Sequence, residues 1–91
     1  MDINMSLIRH YLQNDFDIFQ LHYLHGVWRW EASIGDRGCD DGFNERHCGK
    51  TAESPNGAIK NLLMSIIETE AYDEDRKRFP LEPSKWGKLF N

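Results

Sequence analysis

The sequence predicts an α+β domain of order α-β-β-β-α, a three-stranded antiparallel sheet with its helices packed on one face. Two observations carry this. Apolar residues recur at helical spacing near the start of the chain and again after Ser54-Pro55, and between those stretches two segments alternate apolar and polar with a period of two. A third observation says that the chain folds at all: 40% of its 91 residues are hydrophobic and 12% aromatic, well away from the composition of disordered segments.

Taken in order, Ile3, Leu7, Ile8, Tyr11 and Leu12 form the apolar stripe of a first helix over 3–13, with Asp2 as its N-cap. Asn14-Asp15 ends it, because both side chains compete for backbone hydrogen bonds. From Asp17 the period becomes two, with Phe19, Leu21 and Tyr23 on one face and Ile18, Gln20, His22 and Leu24 on the other. His25-Gly26 reads as the turn. A second strand then places Trp28, Trp30, Ala32 and Ile34 on one face and Val27, Arg29, Glu31 and Ser33 on the other. The stretch Gly35 to Gly42, with three glycines and three aspartates, suits a loop and nothing regular. A weaker third strand runs from Phe43 to Lys50.

Ser54 is an N-cap and Pro55 a first helical residue that needs no N–H partner. Ala58, Ile59, Leu62, Leu63, Ile66 and Ile67 then make one buried face of a helix from Pro55 to Tyr72. The face carrying Trp28 and Trp30 is expected to pack against Ile59, Leu62, Leu63 and Ile66. Asp73 to Arg78 is a solvated charged run, and Pro80 and Pro83 argue against a long helix beyond it. Residues 1–79 are read as the domain, and residues 80–91 as a Pro- and Trp-containing tail that packs on it or extends from it.

The longest strongly apolar stretch, Leu62 to Ile67, falls far short of the roughly 20 residues a membrane-spanning helix needs. Asp2 stands where a secretory signal would carry a cation, so the expected location is the cytoplasm of a bacterial cell. Cys39 and Cys48 are accordingly read as free thiols. Residues 1–75 carry six Lys/Arg against fourteen Asp/Glu, and residues 76–91 five against one. An acidic body disfavours direct nucleic-acid binding and suits a protein partner with a basic surface.

No motif supplies a catalytic or cofactor site. Gly49-Lys50-Thr51 lacks the earlier glycine of a phosphate loop, whose place Asn44 takes. His22, His25, Cys39, His47 and Cys48 do not fall into the two tight pairs of a structural zinc site. Neighbours on a strand face opposite sides, so His47 cannot serve Cys48 as its base. Asp36, Asp40, Asp41 and Glu45 could hold a hard cation, but their spacing is not that of a calcium loop.

The three-strand-then-helix order that ends in Gly49-Lys50-Thr51-Ala52-Glu53-Ser54-Pro55-Asn56-Gly57-Ala58-Ile59-Lys60-Asn61-Leu62-Leu63 resembles that of HicB-like antitoxins over residues 16–72. It is similar in type to small phage inhibitors of host defences, the anti-CRISPR proteins among them. The element order also resembles a double-stranded-RNA-binding domain. Such domains open their second helix with a basic cluster, whereas Ser54-Pro55-Asn56-Gly57 opens this one and Lys60 is its only early cation.

These readings converge on a non-enzymatic protein-binding module, phage or mobile-element encoded, that inhibits a nucleic-acid-binding host complex. Asp36, Asp40, Asp41 and Glu45 would engage the basic partner, with Trp86 and Phe90 as docking aromatics. The alternatives are a HicB-like antitoxin and a metal-dependent nuclease. A three-stranded sheet also has exposed edges, which leaves room for a homodimer.

Overall fold

A computed structural model describes residues 3–14, 16–38 and 42–68. Helix α1 spans Ile3–Asn14, strands β1, β2 and β3 span Ile18–Leu24, Arg29–Arg37 and Phe43–Cys48, and helix α2 spans Pro55–Glu68. The sheet is antiparallel in the order β1-β2-β3. Both helices lie on one of its faces, as the alternation and the two apolar stripes predict.

Local chemistry sets the ends of the elements. The Ser54 hydroxyl accepts from the Gly57 N–H (3.0 Å), so the expected N-cap of α2 is in place. At the other end of α1, the Phe16 N–H donates to the Tyr11 carbonyl (2.8 Å), the six-to-one closure that stops a helix. Asn14 donates from Nδ2 to the His10 carbonyl (2.8 Å) and satisfies another terminal acceptor.

The core joins Leu7, Ile8, Tyr11 and Phe16 to Ala32 and Ile34 of β2 and to the six apolar residues of α2, with Phe19, Leu21 and Trp30 half-buried against it. All six α2 residues named from the sequence are buried. The α1 stripe runs through Asn4, Leu7, Ile8 and Tyr11, while Leu12 is 37% exposed. At 100° per residue, Leu12 turns off the face that Tyr11 buries.

Three further expectations are corrected. Trp28 is not in the strand: residues 25–28 form a four-residue turn, and Trp28 is 76% exposed rather than packed on α2. β2 continues through Gly35, Asp36 and Arg37, which the sequence reads as loop, because they pair with Glu45, Asn44 and Phe43. β3 stops at Cys48, two residues early. Gly49 follows at a point where an added Cβ would collide with the backbone at Leu62, so glycine there lets the chain pass against α2. The proposed end of α2 at Tyr72 and the boundary at residue 79 lie outside the described residues.

Candidate functional site

Among the described residues, the β1–β2 turn is the most distinctive surface. Leu24 pairs with Arg29, which leaves His25, Gly26, Val27 and Trp28 as the loop. The Val27 N–H donates to the Leu24 carbonyl (3.1 Å) and closes the turn. Trp28 then adopts φ 56°, the left-handed region where glycine or asparagine is the comfortable choice. For a bulky residue this costs about 1–2 kcal/mol. Val27 is 57% exposed beside it, so the turn ends in an apolar, aromatic tip.

The tip stands on a braced base. Trp30 exchanges backbone hydrogen bonds with Ala52 (2.7 and 2.9 Å). The Arg29 guanidinium donates from Nε to the Thr51 hydroxyl (2.9 Å) and from Nη2 to the Thr51 carbonyl (3.0 Å). Tyr23 lies between the rings of His25, at 4.9 Å and edge-on, and Trp30, at 5.1 Å. The strain at Trp28 is therefore held by the packing and hydrogen bonds behind it.

At the opposite end of the sheet, the expected acidic site is divided. Asp36 accepts from Arg46 Nη1 (3.2 Å), and the Arg46 guanidinium also lies over the Phe16 ring at 5.4 Å. Asp36 pairs with Asn44, the neighbour of Glu45, so Asp36 and Glu45 point to opposite faces. Glu45 is exposed. Asp40, Asp41, Trp86 and Phe90 lie outside the described residues. Six Lys/Arg and six Asp/Glu balance among the described residues, so the acidic excess of the sequence rests on the others.

The Arg46–Asp36 pair depends on a β-bulge. Ile34 pairs with His47 and Gly35 with Glu45, so Arg46 is the extra residue and turns to the Phe16 side together with His47. Beyond the bulge, Cys48 faces away from His47. Burial pushes its thiol up from 9.0 to about 11, with Glu31 and Glu45 raising it further. Cys48 is a free thiol that stays protonated at neutral pH, which removes it as a nucleophile there. Cys39 lies outside the described residues.

Cys48 also borders a cleft of about 400 Å³ between the end of β3 and α2, lined further by Lys50, Asn61, Met64, Ser65 and Glu68. Asn61 closes one end by donating to the Lys50 and Thr51 carbonyls (3.0 and 3.4 Å). Among the described residues no three His, Cys, Asp or Glu side chains gather so as to hold a metal ion. None of the described helices is long and apolar enough to cross a membrane.

Sequence reasoning placed Trp28 on a buried strand face and so missed the tip. One signal was available: His-Gly is not among the dipeptides that make two-residue hairpin turns, so a longer loop was to be expected. No family model, curated protein or solved structure matches the chain.

Proposed function

We propose that this domain acts by binding another protein, with Trp28 and Val27 at the β1–β2 tip as the anchor that enters an apolar pocket of the partner. The observation that carries the reading is a tryptophan held 76% exposed in a left-handed conformation. A residue that costs the fold both strain and solvent-exposed aromatic surface, and contributes little packing in return, is best explained by contacts outside the chain. Tryptophan anchors concentrate binding energy, and the braced base lowers the ordering cost on association.

Inhibition of a nucleic-acid-handling host complex and neutralisation of a small toxin both fit such a binder. The sequence favours the first through its acidic residues, and the HicB-like element order favours the second. The experiment is site-specific photo-crosslinking in the host cell, with the reactive group at position 28 in one version and at position 45 in another. A single protein captured from position 28 and lost on competition with unlabelled wild-type chain is the expected result. Capture from position 45 alone would move the interface to the acidic end and sink the tip as anchor.

A further inference from the structure

The two edges of the sheet are unlike. β3 is six residues long, carries Glu45 and Arg46, and is bent by the bulge at Arg46. Short length, charge and bulges are the devices that blunt an edge against pairing. β1 has none of them: its seven residues, Ile18 to Leu24, include no charged side chain and no proline, and its register with β2 is unbroken.

The direction of the backbone groups on that edge follows from printed bonds on the other side of β2. Trp30 directs both its N–H and its C=O to Ala52, and the Ala32 carbonyl accepts from Gly49 (3.1 Å), so both residues point to the β3 side. In an antiparallel ladder the two backbone groups of a residue share a side, and that side alternates along the strand. Trp30 and Ala32 pair with Tyr23 and Leu21. Tyr23, Leu21 and, by alternation, Phe19 therefore turn their N–H and C=O outward. Among the described residues no backbone hydrogen bond reaches them.

We propose that the occupant of this edge is β1 of a second copy, paired antiparallel about a two-fold axis at Leu21, so that two three-stranded sheets become one of six strands. The argument is self-complementarity. In this register Phe19 meets Tyr23 of the second copy and Leu21 meets Leu21, all of them on the helix-bearing face. On the open face Ile18 meets Leu24 and Gln20 meets His22. Aromatic faces aromatic, apolar faces apolar, polar faces polar, and no charge is placed opposite its like. Phe19, Leu21 and Tyr23 are the residues with outward backbone groups, so each N–H and C=O finds a partner in this register. A shift of one residue would break both the hydrogen bonding and the matching of faces. Such an isologous contact closes on itself and does not propagate.

The test uses the full chain. Sedimentation equilibrium is expected to give twice the chain mass, and amide exchange is expected to show protection at Phe19, Leu21 and Tyr23 that weakens on dilution. The variant Q20K/H22K sets lysine against lysine twice across the axis and should raise the dimer dissociation constant about tenfold. Q20E/H22K sets a carboxylate against an ammonium at the same two places and should restore it. Both variants alter the open face alone, and matching circular dichroism spectra establish that both fold. A monomer with freely exchanging amides would overturn the proposal. So would a monomer with protected amides, which would assign the edge to residues 69–91, and so would a dimer whose β1 amides exchange freely or in which the two variants behave alike.

Discussion

Among the described residues, Trp28 and Cys48 are the two side chains whose chemistry departs most from what their positions would ordinarily favour. Replacing Trp28 by glycine relieves about 1–2 kcal/mol of left-handed strain and adds about 0.5–1 kcal/mol of unfolded-state entropy cost. Trp28→Gly is therefore expected to leave the stability of the fold unchanged or raise it by up to about 1.5 kcal/mol in urea unfolding, and Trp28→Asn should behave similarly. A loss of more than that would make Trp28 a structural residue. For Cys48, burial together with Glu31 and Glu45 holds the thiol protonated up to about 11, against 9.0 in the unfolded chain. The contribution to stability is full below 9 and is lost as pH rises toward 11, because unfolding there releases a proton. In a Cys39→Ser background, alkylation of Cys48 should be slow at neutral pH, and Glu31→Gln should speed it by lowering the pKa. A fast, Glu31-independent reaction would contradict this account.

Elements were legible where their determinants are local. α2 could be read in full up to Glu68 because Ser54, Pro55 and the apolar pairs lie within the helix itself. β1 likewise follows from its own alternation. The end of β2 could not be read, since Gly35, Asp36 and Arg37 are strand only because β3 pairs with them. The same pairing hid the site: the bulge that brings Arg46 onto Asp36 has no signature in either strand taken alone. Trp28 was misplaced because alternation runs unbroken from Trp28 to Ile34, and the turn conformation that expels it depends on where β1 stops pairing. Two glycines carry element-level predictions. A Cβ at Gly35 would meet the Asn44 carbonyl, and one at Gly49 the backbone of Asn61 and Leu62. Backbone atoms cannot rotate away as side chains do. Gly49→Ala should cost about 1–3 kcal/mol in thermal or urea unfolding, and Gly35→Ala a similar amount with loss of the Arg46–Asp36 pair. Either variant at wild-type stability would mean that β3 can shift freely against its neighbours.

At the scale of the whole molecule, the aromatic tip and the end of the sheet that carries Asp36 and Glu45 are set apart, because β2 leads from one to the other. Its nine residues at about 3.3 Å each set the two surfaces about 30 Å apart. On the proposed reading, the two surfaces would take different physical tasks in one binding event. Charges act over distance and speed encounter, whereas a buried aromatic anchor slows escape. With the partner in hand, Trp28→Gly should raise the dissociation rate at least tenfold and leave the association rate within about threefold. Charge reversal at Asp40 and Asp41 should do the reverse, lowering the association rate, and adding salt should reproduce that loss in the wild type but change the variant little. Surface plasmon resonance at two ionic strengths separates the four rates. If Trp28→Gly altered only association, the tip would be an encounter surface and not the anchor; if the acidic variant dissociated faster, the acidic segment would itself lie inside the contact, and the sheet would have to be bound along its whole length.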